Sequence, residues 1–310
     1  MKVVVFGSFA VDLTSRSRGL PLPGQTLLGT SFQLGPGGKG SNQAVAAHRA
    51  GADVTLVTKV GRDVFGKVAT DFYESEGMDT SYILLDDERT TGTALIMVDE
   101  ETAQNKIVVT SGACGNITPG DVERCRALLE GAGLLLMQHE INMDAQYAAM
   151  DIAHRAGVKI VLNPAPAMPI PDEALAKVDI ITPNETEARA LTGVEIKTEA
   201  DARCAARAFF QKGVKQVVIT LGGMGAFASD GERSLLLPRL TVNAVDTTGA
   251  GDAFNGGFVT ALSEGRGLFD ALRMGNVTGA LSVTKAGAAP SMPSRAQIDA
   301  LYRTSYPAAQ

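Results

Sequence analysis

Residues 245–258 read VDTTGAGDAFNGGF and place one acid, Asp252, inside a run of glycines and other small residues. After this acid, Phe254, Phe258 and Leu262 recur at helical spacing. This spacing predicts a buried helix that begins at or near Asp252. The first turn of the helix therefore carries an acid and almost no side-chain bulk.

Two interpretations of this acid are open. Asp is a favoured helix N-cap, and replacing a cap by Ala costs about 1 kcal/mol. A cap alone, however, does not require Gly249 and Gly251 on either side of Ala250. Glycines let backbone N–H groups approach a ligand, and a helix N-terminus favours negative charge. The pattern thus favours an anion site with Asp252 as a proton acceptor beside a phosphate.

Composition limits the partners of the chain. It has 310 residues, 45% of them hydrophobic, and a net charge of −6 with 28 scattered Lys and Arg residues, so a nucleic-acid partner is not expected. The apolar start at 3–6 is short, and no run approaches the ~20 residues of a membrane span, so we expect a cytoplasmic protein without a membrane partner. Three cysteines without a CxxC pair predict neither a disulfide framework nor a zinc site.

Short apolar runs alternate with helical patterns along the chain. Continuous apolar strands separated by helices indicate a parallel sheet covered on both faces, which is a doubly wound α/β fold. The predicted strands are 2–6, 54–60, 134–138, 158–163, 179–184 and 217–220.

Two segments depart from this alternation. Residues 91–112 read as two strands joined by a polar turn, and residues 12–34 form an extended segment rich in Pro and Gly. Together they predict a small β-sheet that projects from the main layer and covers a ligand crevice as a lid.

A second glycine cluster, GPGGKGSNQ at 35–43, lacks the spacing of a Walker A loop. Its glycines precede a helix that carries Asn42 early, where amides and a carboxamide could bind a polyol. On these residues alone, a plain turn and a ligand loop remain equally open.

Polar residues follow several predicted strands. Glu140 comes after strand 134–138 and is either a ligand contact or a surface acid; the HEINM stretch that contains it lacks the second His of a zinc helix. Asn184 and Glu187 resemble a capping box, and 220–227 fits a hairpin turn. Because ligands bind at the carboxyl edge of open α/β sheets, these strand ends together predict one crevice.

In order along the chain, GSFAVDL, GGKGSNQAVAA, NPAPA, PNETEA, TLGGMGAF, DTTGAGDAFNGG and GAAPSMP resemble the ribokinase (PfkB-type) family of sugar kinases. The resemblance implies a single domain over 1–310: a three-layer α/β/α sandwich with a mostly parallel central sheet and a projecting lid from about 12–34 and 91–112. It also implies ATP with Mg²⁺ as donor, K⁺ as an activating cation, and the 5-hydroxyl of D-ribose as acceptor.

The resemblance implies roles for individual positions. Asp252 would be the catalytic base, with an anion hole from Gly249, Ala250 and Gly251. Sugar contacts would come from Ala10, Asp12, Gly38, Lys39, Asn42 and Glu140. Nucleotide contacts would come from Asn184, Thr220, Gly222, Gly223, Gly225, Gly251 and Asn276, with Glu187 acting indirectly on Mg²⁺. A monovalent-cation loop would involve Asp246, Thr248, Ser282, Lys285, Gly287 and Ser291.

Several alternatives remain at this stage. Ala10 stands where these kinases often have an Asn, which removes a sugar contact and leaves deoxyribose, a ketose or a nucleoside open as acceptor. A noncatalytic sugar- or nucleotide-binding regulator is disfavoured by the intact acid and glycines. A dehydrogenase is disfavoured because Gly7 stands alone after the first strand. A homodimer through the lid sheet is also open.

Overall fold

A computed structural model of the chain describes residues 1–102 and 104–307. Within these residues the strands are β1 (Val3–Phe6), β2 (Ala10–Ser17), β3 (Ser31–Gly37), β4 (Val54–Gly61), β5 (Ile83–Asp86), β6 (Thr93–Asp99), β7 (Asn105–Thr110), β8 (Leu134–Met137), β9 (Lys159–Leu162), β10 (Ile180–Ile181), β11 (Gln216–Thr220), β12 (Ala226–Ser229) and β13 (Ser234–Leu237). The helices are α1 (Lys39–Arg49), α2 (Val64–Glu76), α3 (Pro119–Arg124), α4 (Arg126–Glu130), α5 (Met143–Arg155), α6 (Asp172–Leu175), α7 (Glu185–Thr192), α8 (Glu199–Gln211), α9 (Ala250–Ser263), α10 (Leu268–Ser282) and α11 (Arg295–Ser305).

The large sheet has the strand order β13-β12-β11-β10-β9-β8-β1-β4-β5. Its centre is parallel, with β1 between β8 and β4, so the predicted α/β fold is confirmed. Among the described strands of this large sheet, the antiparallel pairs are β11–β12 and β12–β13 at one edge. The chain enters this edge through the tight 3₁₀ turn Gly222–Met224, which agrees with the hairpin turn predicted there.

Helices cover both faces of this sheet. Along β1, Val3 and Val5 belong to a buried cluster with α1, α2, α9 and α10, whereas Val4 and Phe6 belong to a second cluster with α3, α5 and α8. Fully burying a side chain of this kind contributes about 1.5–3 kcal/mol, so both faces of each central strand stabilise the layer. The result is a three-layer sandwich.

The small separate sheet has the order β3-β2-β6-β7. Strand β2 pairs antiparallel with β3 and parallel with β6, and β6 pairs antiparallel with β7. Strand β2 starts at Ala10 and β3 ends at Gly37, directly before α1. The β2–β3 hairpin of the lid therefore begins after the central strand β1 and ends before α1, so both of its ends connect to the main layers of the fold.

Across residues 1–102 and 104–307, no helix has the length and apolar content needed to cross a membrane.

Candidate active site

Asp252 lies in the first turn of α9, but it does not cap that helix. The N-cap is Gly249, whose φ of 75° is left-handed, and no side chain caps the helix there. Asp252 is buried, and its carboxylate accepts hydrogen bonds from Asn42 Nδ2 at 3.0 Å and from Gln43 Nε2 at 2.9 Å. The capped-helix interpretation is therefore wrong, because the carboxylate points to α1 and not to its own backbone.

The surroundings of Asp252 make it a stronger base than an exposed acid. Burial raises the pKa of Asp252; the Lys39 ammonium and the amides of Gln43 and Asn42 lower it, and the Glu140 carboxylate raises it again, with a net upward shift. A carboxylate with a raised pKa accepts a proton more readily near neutral pH.

A polar cavity of about 180 Å³ opens at the N-terminus of α9. A Cβ at Gly251 would meet no atom within 4 Å, so the backbone there faces open space. We call this cavity the nucleotide pocket, after the ATP site that the resemblance implies here. Its lining residues are Lys39, Asn163, Ala165, Thr182, Asn184, Glu187, Thr220, Thr247, Gly249, Ala250, Gly251, Asp252 and Asn255. Amides at a helix N-terminus over a polar cavity form a suitable phosphate site.

Asn184 and Glu187 form the predicted capping box and also line the pocket. Glu187 N donates to Asn184 Oδ1 at 2.8 Å and Asn184 N donates to Glu187 Oε2 at 2.9 Å, which is a capping box for α7. Both side chains also line the nucleotide pocket. Burial raises the pKa of Glu187, while a hydrogen bond from Asn184 N and the charge of Lys39 lower it; the net shift is upward.

The remaining predicted nucleotide residues lie apart from this pocket. Gly222, Gly223 and Gly225 form the turn after β11, beside Thr220, which does line the cavity. Asn276 Nδ2 already donates to Pro238 O at 3.0 Å and to Tyr306 Oη at 2.9 Å.

On the lid side, Asp12 completes an acidic cluster with Glu140 and Asp252. Burial and these two carboxylates raise the pKa of Asp12 to about 6. A Cβ at Gly37 would lie 2.3 Å from the Asp12 carboxylate, so only glycine leaves room for it. Within the part of the chain that the structure describes, the Asp12 carboxylate accepts no hydrogen bond, which leaves it free for a ligand hydroxyl.

Glu140 holds the glycine loop at the start of α1. Its Oε2 accepts from Ser8 Oγ at 2.6 Å and from Lys39 N at 2.8 Å. The N-cap of α1 is Gly38, with φ of 87° and no side chain, so Glu140 supplies the missing acceptor. A Cβ at Gly38 would lie 2.9 Å from Ala10 N, which fixes these two positions side by side.

Lys39 and Asn42 lie at the start of α1, directly after this loop, and both interact with Asp252. Asn42 Oδ1 is buried and has no hydrogen-bond partner among residues 1–102 and 104–307, so it can accept from a bound hydroxyl. Burial lowers the pKa of Lys39, but the carboxylates of Asp252, Glu140 and Glu187 raise it above its usual value. Lys39 is therefore a charged ammonium, and it lies between the nucleotide pocket and the acidic cluster.

Sequence reasoning missed a set of buried polar residues behind Asp252. Gln43, Asn163, Thr182 and Asn255 are joined by side-chain hydrogen bonds, and Thr247 lines the pocket nearby. The sequence offers one weak signal for these residues, because Gln43 and Asn163 lie within the motifs GGKGSNQAVAA and NPAPA. The spacing of the motifs does not show that the two side chains form a hydrogen bond.

The predicted cation segments contact one another. Asp246 Oδ1 accepts from Thr248 N at 2.9 Å and Thr248 Oγ1 at 2.7 Å, and Asp246 Oδ2 accepts from Gly287 N at 2.9 Å. The hydroxyls of Ser282 and Ser291 bond within their own turns, and Lys285 N donates to Ser282 O. Among the described residues, no group of three or more His, Cys, Asp or Glu side chains is arranged to hold a metal ion.

The profile of the pfkB family carbohydrate kinases matches residues 1–295. The chain belongs to this family. It is therefore a carbohydrate kinase, a phosphotransferase that acts on a sugar hydroxyl.

Relatives within the family cover nearly the whole chain. The chain is 44% identical over 293 residues to a ribokinase of Haemophilus influenzae, covering 94% of this chain and 95% of the relative. It is 36% identical over 300 residues to a deoxyribokinase of Salmonella typhi, covering 96% and 98%. Among solved structures, Arabidopsis thaliana ribokinase complexed with ribose and ATP has a TM-score of 0.90 at 31% identity, covering 97% and 98%.

Proposed function

We propose that this chain transfers the γ-phosphoryl group of ATP to the 5-hydroxyl of D-ribose and releases ribose 5-phosphate and ADP. The observation that carries this proposal is the position of Asp252. Its helix N-terminus lines the nucleotide pocket, while its buried carboxylate faces the acidic cluster with Asp12 and Glu140. A hydroxyl held by that cluster would meet a phosphate held by the helix at Asp252.

In this mechanism the attacking hydroxyl oxygen forms a bond to the γ-phosphorus while the bond from that phosphorus to the β,γ-bridging oxygen breaks. Asp252 takes the hydroxyl proton, and ADP leaves. Phosphoryl transfer depends mostly on positioning and on stabilising charge, which the amides of Gly249, Ala250 and Gly251 and the ammonium of Lys39 supply. A positioned base contributes about 10²–10⁴ in rate.

The sugar would be held by acceptors with free capacity. These are the Asp12 carboxylate and Asn42 Oδ1, with Glu140 holding the loop and Gly38 and Lys39 contributing from it. Leaving such a buried group unpaired costs about 1–3 kcal/mol, so a sugar that lacks one hydroxyl should be a poorer substrate. Ala10 offers no polar atom from its side chain, so a sugar hydroxyl next to it would lack a side-chain partner there.

The nucleotide would extend from the pocket toward the turn after β11. We propose Asn184, Thr220, Gly222, Gly223 and Gly225 as its contacts, with Asn276 available only if its bonds to Pro238 and Tyr306 exchange. Glu187 fits an indirect role with Mg²⁺, because its carboxylate lines the pocket and Mg²⁺ keeps several waters while binding phosphate oxygens. The ion would neutralise phosphate charge.

We also propose activation by K⁺. Asp246 joins segments 246–248 and 287–291, and a Cβ at Gly249 would lie 3.1 Å from Ala288 Cα, so this loop packs directly against the anion hole. A cation held by the backbone of Asp246, Thr248, Ser282, Lys285, Gly287 and Ser291 would fix that loop from outside the chemical centre.

Finally, we propose a homodimer through the lid sheet and a cytoplasmic location. In register across the lid, Leu34, Leu13, Leu95 and Val108 form one apolar row, on the face opposite Asp12. Leu34, Leu95 and Val108 are 45%, 51% and 58% exposed. Such a row is suited to burial against a second copy. The cytoplasmic location is favoured by the need for ATP.

The test is a coupled ADP-release assay over D-ribose, 2-deoxyribose, a ketose and a nucleoside, each in K⁺, Na⁺ and Cs⁺ at matched ionic strength. We expect the highest specificity constant with ribose, and activation by K⁺ that Asp246→Ala abolishes. The deoxyribokinase relative makes 2-deoxyribose the second candidate, and equal constants for both sugars would contradict the ribose assignment. Absence of ADP release with every acceptor would favour a noncatalytic binding protein.

A further inference from the structure

A network of buried side-chain amides contacts the carboxylate of Asp252, and Gln43 lies at the centre of this network. Gln43 Nε2 donates to Asp252 Oδ1 and to Asn163 Oδ1, both at 2.9 Å. Gln43 Oε1 accepts from Gln138 Nε2 at 2.7 Å. Both donors and the acceptor of this amide are thus engaged, and Gln43 is 0% exposed. An amide held at three points cannot rotate, so it presents its N–H to Asp252 in one direction.

The same series of hydrogen bonds continues from Asn163 to the backbone of α9. Asn163 Nδ2 donates to Thr182 O at 2.8 Å, Thr182 Oγ1 bonds to Asn255 Oδ1 at 2.6 Å, and Asn255 Nδ2 donates to Gly251 O at 2.9 Å. One set of buried side chains therefore contacts both the carboxylate of Asp252 and the carbonyl next to it in the anion hole.

We propose that Gln43 is a positioning residue for Asp252: its amide fixes the rotamer of the carboxylate, so that Oδ2, which also meets Asn42, faces the acceptor hydroxyl. This inference rests on the proposed phosphoryl transfer with Asp252 as base. Gln43 is fully buried and does not line the nucleotide pocket, so it acts through Asp252. Because a misplacement of about 1 Å can reduce a rate ~10²-fold, loss of this hydrogen bond should reduce turnover more than it affects sugar binding.

Four ionisable side chains also face Asp252, and they determine what a pH profile would report. Lys39 on α1 and the acids Asp12 on β2, Glu140 after β8 and Glu187 on α7 each interact with Asp252 through their charges. The Gln43 N–H favours the ionised carboxylate without adding charge. Removing it should raise the pKa of Asp252 further and leave the other four groups in place.

The test uses Gln43→Met, which keeps the length of the side chain and removes both donors. We expect kcat to fall about 10- to 100-fold near neutral pH, with the KM for sugar changed less than about 3-fold, and the acid limb of the kcat profile to move to higher pH. The matched control is Tyr73→Phe. It removes a buried hydrogen bond of 2.7 Å from Tyr73 on α2 to Ser41, which lies on α1 as Gln43 does. It should lower the thermal midpoint without changing the pH profile.

Two further variants keep the proposal falsifiable. In an Asp252→Asn background, Gln43→Met should have no added effect on the residual rate, because its target is already absent. Should Gln43→Met fail to fold, Gln138→Met frees the Gln43 amide indirectly and should give a smaller shift in the same direction. If the native chain is active and the folded variant, Gln43→Met or its replacement Gln138→Met, keeps a native-like pH profile, the positioning role of Gln43 is overturned and the proposed function is not. Inactivity of the native chain on every sugar would overturn the proposed function as well.

Discussion

The ionised side chain of Asp12 lowers the stability of the folded chain. Burial together with Glu140 and Asp252 raises its pKa to about 6, against an ordinary value near 3.8. The folded chain therefore binds a proton more tightly than the unfolded chain does, and the ionised carboxylate destabilises the fold. This penalty is absent below about pH 4 and is fully present above about pH 6, so the free energy of unfolding falls as pH rises through that window.

Asp12→Asn should therefore stabilise the chain at neutral pH and impair it as an enzyme. We expect a gain of about 1–3 kcal/mol near pH 8, which shrinks as pH falls from about 6 to about 4, together with a raised KM for sugar because an acceptor is lost. Chemical denaturation across pH measures the first effect and steady-state kinetics the second. The control is Asp53→Asn at an exposed position. A stability difference between native and variant that stays constant with pH would refute this account of Asp12.

Helix α9 offers a test at the scale of an element, because Gly251 is its second residue and faces open space. In a helix Ala is favoured over Gly by about 0.5–1 kcal/mol, so Gly251→Ala should stabilise the free protein slightly. The added Cβ would nevertheless stand in the nucleotide pocket. We expect a higher KM for ATP and a lower kcat.

The matched control is Gly120→Ala. Gly120 is likewise the second residue of a helix, α3, and it is exposed, with its nearest neighbour at 3.7 Å from an added Cβ. It should give a similar gain in stability and native kinetics. If both variants keep native KM values for ATP, then the α9 terminus does not bind the nucleotide.

The elements that the sequence predicts are those with a clear pattern of apolar residues. Continuous apolar runs located β1, β4 and β8, because both faces of these strands are buried. The antiparallel β12–β13 edge and the short helix α6 were not identified, because four residues carry too little periodicity to distinguish a strand from a turn. Helix α9 starts at Ala250, two residues before the Asp252 around which the spacing predicts its start, since a glycine N-cap leaves no side-chain signal.

At the scale of the whole molecule, the sequence predicts that polar strand-end residues share one edge of the sheet, but it does not predict which side chains contact one another. Strand-end positions such as Glu140 and Asn184 do lie at one edge, as parallel topology requires. Their partners were not predictable: Glu140 contacts Lys39 N, and Gln43 contacts Asp252, 209 positions away. Contacts of this range depend on how α1 and α9 pack, which local patterns do not encode.

The apolar row of the lid gives a prediction about assembly. Replacing Leu95 by Glu puts a charge at the centre of the row Leu34, Leu13, Leu95 and Val108, so it should convert the proposed dimer to a monomer. Leu28→Glu is the control, because Leu28 is 92% exposed and lies outside the lid strands. Sedimentation velocity of the native chain and both variants decides this. A monomeric native chain would contradict the dimer.

The central claim is that Asp252 acts as the base, and Asp252→Asn tests it most directly. Asn has nearly the same shape, α9 keeps its Gly249 N-cap, and a buried carboxylate is removed, so we expect a thermal midpoint within about 3 °C of native. Asn is a far poorer proton acceptor, so we expect turnover with ribose and ATP to fall by ~10² or more. Turnover that survives with only a modest loss, in a variant of native stability, would contradict the mechanism.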